Sequence, residues 1–159
     1  MSAFNPLRTL VASFTSCGMS RMTLRYEYDR TPPIDDFGWL GVQVQTEQYS
    51  GTGGFWVQWQ DVSELADRLR QYPIPPDAPI QAQWGFDMQK ENDLILSIEV
   101  AAIEETGDLL IRVEMADHVS PEERLLTSFT TSYAELASFA DALKGVMAKS
   151  RDEAILSGK

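Results

Sequence analysis

Apolar and polar residues alternate along most of this chain with a period of two, and at two places the period lengthens to that of a helix. Over Trp39–Glu47, Leu40, Val42 and Val44 alternate with Gln43, Gln45 and Glu47. The alternation resumes with Phe55, Val57 and Trp59 against Trp56, Gln58 and Gln60. Successive side chains of a strand point to opposite faces, so each run has one apolar and one polar face. Met22–Asp29 predicts an earlier strand, and Arg30–Asp36, with two prolines, predicts a loop. Ser50–Gly54 reads SGTGG and predicts the hairpin loop between the two clean strands, because glycine tolerates the positive φ of tight turns.

The first change of period follows at once. Asp61 with Glu64 forms a capping-box pattern, and Val62, Leu65, Ala66 and Leu69 recur at helical spacing. Pro73, Pro75, Pro76 and Pro79 then end the helix. Four more strands are predicted: Ile80–Gln89 with Ile80, Ala82, Trp84, Phe86 and Met88 inward, then Leu94–Ile103, Leu109–Met115 and Leu125–Thr131. Ser132 and Glu135 open a second helix whose buried stripe is Leu136, Phe139, Ala140, Leu143 and Val146. The order β-ββ-α-ββββ-α predicts an α+β fold: a two-layer domain with an antiparallel β-sheet and both helices packed on its apolar face. Residues 22–149 form that single domain, 1–21 a disordered N-terminal extension, and 150–159 a polar C-terminal tail.

Charge changes the picture of what this domain meets. The chain has 159 residues, with 13 basic against 24 acidic and a net charge of −11. Arg8 and Arg21 are the only charges in residues 1–21, so the body is more acidic still. A body of that sign repels phosphate backbones and anionic lipid, which argues against nucleic acid and membrane surfaces as partners. The same sign would steer a basic partner. Cys17 is the only cysteine, compatible with a reducing cytoplasm. No run is long and apolar enough for a membrane span, and Leu10–Phe14 is too short for the core of a signal peptide.

Catalytic chemistry finds little support. His118 is the only histidine and stands in the polar segment ADHVSPEE. One histidine and Cys17 cannot supply the three or four ligands of a zinc site. The acidic pairs Asp35-Asp36, Glu104-Glu105 and Glu122-Glu123 fall in predicted loops without calcium-loop spacing. GTGG at 51–54 lacks the Lys-Ser/Thr of a phosphate loop. No enzyme activity, cofactor or metal is expected. The polar strand face is the better candidate. Gln43, Gln45, Trp56, Gln58, Gln83, Asp87 and Glu99 all fall outward by parity. A helix-free face must meet water or a partner, and an aromatic such as Trp56 is a common interface anchor.

The segment QTEQYSGTGGFWVQWQDVSELADRLRQY resembles the first half of the WapI-type immunity proteins, small acidic bacterial proteins linked to contact-dependent toxins. Tyr49-Ser50-Gly51 matches the family's aromatic-Ser-Gly turn, Phe55–Trp59 its strand, and Leu65 and Leu69 its helix. LLIRVEM at 109–115 and SFTTSYAELASFADAL at 128–143, with Tyr133, are similar to its later strand and helix, so the resemblance spans roughly 38–148. It implies a cytoplasmic, non-enzymatic protein that binds and neutralises a toxin domain, often a nuclease. The alternative is an adaptor or structural protein with the same fold.

Overall fold

The computed structural model describes residues 19–28, 35–88 and 90–159. The strands are β1 (Arg21–Tyr28), β2 (Phe37–Gln45), β3 (Ser50–Gln58), β4 (Ile80–Gly85), β5 (Leu94–Ala102), β6 (Leu109–Ala116), β7 (Arg124–Thr131) and β8 (Ala154–Ser157). The helices are α1 (Trp59–Arg68) and α2 (Tyr133–Met147). The fold is α+β with antiparallel pairing. The strands form two four-stranded sheets, ordered β3-β2-β1-β8 and β4-β5-β6-β7, in place of the single sheet expected. The proline-rich segment after α1 marks the division, because its prolines cannot extend the strand ladder.

Each sheet buries one face, as the alternation requires. Met22, Leu24, Leu40, Val42, Val44, Val57, Ala154 and Leu156 of the first sheet join Ile80, Ala82, Trp84, Leu96, Ile98, Val100, Leu109, Ile111 and Val113 of the second in one core. Val62, Leu65 and Ala66 of α1 and Leu136, Phe139, Ala140, Leu143 and Val146 of α2 complete it. Both helices therefore serve a core shared by two sheets. They are also tied to each other by Lys144–Asp67 at 2.5 Å and by Arg70–Asp141.

Several local expectations are corrected. Residues 50–54 are not the hairpin loop. They belong to β3, and the turn is Thr46–Tyr49, closed by a Thr46 N–H to Tyr49 carbonyl bond of 2.7 Å. Gly107 is the only glycine with positive φ among the described residues. The β3 glycines answer a demand for space instead. A Cβ at Gly51 would lie 2.6 Å from Leu125 Cδ2, and one at Gly53 would lie 3.1 Å from Met115 Sδ, so the second sheet packs directly on their backbone.

The second correction concerns α1. It starts at Trp59, with Gln58 as N-cap and no side-chain capping bond, so Trp59 is helical and not an inward strand residue. The Asp61 carboxylate accepts from Trp84 Nε1 at 3.3 Å instead. The α2 cap is as read, with Ser132 Oγ accepting from the Glu135 N–H at 3.2 Å. Similarly, β4 ends at Gly85, so Phe86 and Met88, expected inward, are 44% and 62% exposed.

The third correction is the C-terminus. The expected polar tail contains β8, which pairs with Arg21–Leu24 of β1 and buries Ala154 and Leu156. It also joins the two sheets. Thr131 Oγ1 donates to the Ser157 carbonyl at 2.6 Å, and the Lys159 N–H donates to the Thr130 carbonyl at 2.9 Å. Residues 150–153 and 158–159 are polar, which masked a four-residue strand of period two. Of the extension expected over 1–21, residues 1–18 lie outside the described residues, while Arg21 opens β1 and the Ser20 carbonyl accepts from the Gly158 N–H at 2.7 Å. Among the described residues, no helix is long and apolar enough to cross a membrane.

Candidate functional site

The outward face of the first sheet is read from its register. Trp39 stands directly opposite Trp56, with Glu27 on Trp39's other flank. The next rank is Arg25, Gly41 and Gly54, then Thr23, Gln43 and Thr52, then Arg21, Gln45 and Ser50. Most of these side chains are exposed or half-buried. The face thus has an aromatic end, a flat middle and a polar end.

The aromatic end depends on the two glycines. Gly41 and Gly54 face each other across β2 and β3. A Cβ on Gly54 would lie 2.7 Å from Trp39 Nε1, and one on Gly41 would lie 3.7 Å from the same atom. The Trp39 indole therefore lies over the glycine pair, and Gly54 leaves no room for any other residue beneath it. Trp56 meets Trp39 edge-to-face, with ring centroids 5.1 Å apart at 77°, and is itself 46% exposed. The His118 ring, from the connection between β6 and β7, approaches Trp39 from the other side at 5.7 Å.

Two cavities adjoin at Trp39. One, of about 1090 Å³, is lined by Arg25, Glu27, Trp39 and Gly41 on the sheet and by Lys149, Arg151 and Asp152 beyond the end of α2. The other, of about 540 Å³, lies between Ser50–Gly54 of β3 and the β6–β7 connection with Asp117, His118 and Glu123. Cations gather on the first side. Arg25 pairs with Glu153 at 2.5 Å. Lys149 and Arg151 make no salt bridge among the described residues, nor does Arg21 at the polar end of the face, and Lys149 Nζ lies 5.0 Å over the Tyr28 ring. Beneath this cavity the Tyr26 hydroxyl donates to the Val57 carbonyl at 2.7 Å. Burial pushes the Tyr26 phenol well above its ordinary range, helped by Tyr28 and by nearby carboxylates, so it stays a neutral donor.

The residues expected to form one binding face are divided. Gln43, Gln45, Trp56 and Gln58 do share the outward face of the first sheet. Gln83 and Glu99 lie on the outward face of the second, where Glu99 is held by Arg112 at 3.0 Å. Asp87 lies in the turn after β4. Strand parity assigns a side chain to a face but cannot tell which sheet owns the face, so a face spanning both was never available. Trp39, Arg25, Lys149 and Arg151 are additions. Trp39 shares parity with Gln43 and was open to detection. Arg25 lies on β1 with the same outward parity, whereas Lys149 and Arg151 reach the site through the α2–β8 connection, which no local pattern announces. Among the described residues, no group of three or more His, Cys, Asp or Glu is placed to hold a metal.

No protein-family model and no curated protein matches the chain. Solved structures are similar in fold. One is WHY1 from Arabidopsis thaliana, at 10% identity and TM-score 0.47, covering 82% of this chain and 84% of that one. The plant transcriptional regulator PBF-2 has 8% identity and TM-score 0.48, over 82% of this chain and 76% of the other. WHY3 from Arabidopsis thaliana has 9% identity and TM-score 0.44, over 81% and 78%. Likeness at this level passes no activity to this chain.

The three structures named are WHY proteins and a transcriptional regulator, not immunity proteins, and the immunity function with its toxin-domain partner is withdrawn. The motifs behind that reading were a hairpin and a helix, which many α+β proteins share. The exclusion of nucleic acid is withdrawn with it, since Arg25, Lys149 and Arg151 gather around one cavity of an otherwise acidic molecule. That exclusion rested on net charge, an average over the whole chain that does not describe a single face.

Proposed function

We propose that this chain is a non-catalytic binding protein that holds a single strand of nucleic acid on the outward face of its first sheet. The observation that carries the reading is the Trp39–Trp56 pair, presented on an open face over a glycine floor. Indole rings stack on bases with little regard for sequence. Arg25, Lys149 and Arg151 stand near that pair on the β1 side, suited to phosphate oxygens, and Arg21 lies further along β1 at the polar end of the face. Gln43, Thr52 and Ser50 offer donors and acceptors to base edges. Stacking on a side chain requires bases free of a duplex, so the ligand is single-stranded. The acidic remainder of the molecule repels further phosphates, which keeps the site short and the affinity modest.

The test is fluorescence anisotropy with a labelled mixed-sequence oligonucleotide of about eight nucleotides, within the usual range of single-strand sites. Affinity should fall with salt at a log–log slope of about −2 to −3, from about −0.7 per phosphate met by these cations. Trp56→Ala should weaken binding by about 5- to 150-fold, since stacking one base is worth about 1–3 kcal/mol. Its melting temperature should barely move, because Trp56 is 46% exposed. Absence of binding at low salt, or wild-type affinity in Trp56→Ala, overturns the reading.

A further inference from the structure

The two cavities that meet at Trp39 differ in charge. The larger is lined by Arg25, Lys149 and Arg151 together with Glu27 and Asp152, and with Arg25 held by Glu153 its unpaired cations are Lys149 and Arg151. The smaller is lined by Asp117 and Glu123, and its one arginine, Arg124, is engaged by Glu114 at 2.9 Å and by the Glu91 carbonyl at 2.9 Å. A phosphate would be repelled there. A flat ring with hydrogen-bond donors on its edge would not. His118 and Trp39 supply ring surfaces at the cavity mouth, and Thr52 a hydroxyl.

We infer that the smaller cavity is a base pocket that favours nucleobases with an exocyclic amine, such as cytosine and adenine, over thymine and uracil, which have none. This rests on the single-strand reading above and adds a direction to it: phosphates on the Lys149–Arg151 side, one base turned past Trp39 towards His118. Carboxylates accept from an amino group such as cytosine N4, whereas thymine and uracil present a carbonyl oxygen at the corresponding position. Asp117 Oδ1 already accepts from the Val119 N–H at 2.9 Å, and its second oxygen is the one offered to the base. The Glu123 carboxylate makes no hydrogen bond or salt bridge among the described residues and lies on the same cavity wall.

The measurement compares labelled oligo-dC, oligo-dA and oligo-dT of equal length on the full chain. Oligo-dC and oligo-dA should bind about tenfold more tightly than oligo-dT, the scale of one hydrogen bond to a charged acceptor. In the double variant Asp117→Ser and Glu123→Ala, the serine retains an oxygen for the Val119 N–H. That variant should bind all three within about twofold of one another, with oligo-dT no weaker than before. Equal affinities in the wild type, or a preference that survives the double variant, overturn the base pocket while leaving the single-strand reading in place. Failure of all three to bind overturns both.

Discussion

The outward faces of the two sheets are built from the same strand period and end in opposite states. On the second sheet the charges answer one another: Arg112 pairs with Glu99 and Arg124 with Glu114. The remaining outward positions carry small, aliphatic or amide side chains such as Gln81, Gln83, Ser97, Ala101 and Ser128, and no aromatic ring. On the first sheet two tryptophans stand side by side, glycines flatten the ground beneath Trp39, and Arg21 on β1, with Lys149 and Arg151 from the α2–β8 connection, is left without a carboxylate partner among the described residues. A face that satisfies its own charges has little left to offer a ligand. Exposed rings cost solubility unless something covers them, and unpaired cations stay free to meet an anion, so the first sheet is where function is to be sought.

The largest expected effect separates inside from outside. Trp84 lies on the inward face of the second sheet and is 8% exposed, with its Nε1 donating to Asp61. Trp84→Ala should cost about 3–5 kcal/mol of stability in chemical denaturation. An unchanged denaturation midpoint would mean that the two faces of β4 have been exchanged.

Gly54→Val probes the glycine floor. Its Cβ would lie 2.6 Å from the Leu40 carbonyl and 2.7 Å from the Trp39 indole, so the ring must leave its seat. A loss of about 1–3 kcal/mol is expected from overpacking, together with a changed tryptophan fluorescence spectrum and weakened oligonucleotide binding. Binding at wild-type strength despite the displaced indole would remove Trp39 from the site.

The smallest effects give the sharpest contrast. Arg151→Gln should lower oligonucleotide affinity about threefold or more at low salt and flatten the salt slope by about 0.7, one phosphate contact. Arg112→Gln breaks an exposed ion pair on the second sheet. It should change stability by at most about 1 kcal/mol and leave binding untouched. Equal effects of the two substitutions on binding would erase the distinction between the faces.

Alternation along the chain was enough to determine the α+β class, the inward sets Leu40–Val44 and Ile80–Trp84, the buried stripes of both helices and the cap at Ser132, because each depends on neighbours a few residues apart. The outward placement of Gln43, Gln45, Trp56 and Gln58 was legible for the same reason. Only the tertiary structure decided that the strands divide into two sheets, that β8 closes the first beside β1, and that SGTGG is a strand pressed against Met115 and Leu125. It alone brought Lys149 and Arg151 to Arg25 and His118 to Trp39. Pairing between distant segments follows from how a whole core fills its volume, and a period of two is the same whichever sheet a strand joins.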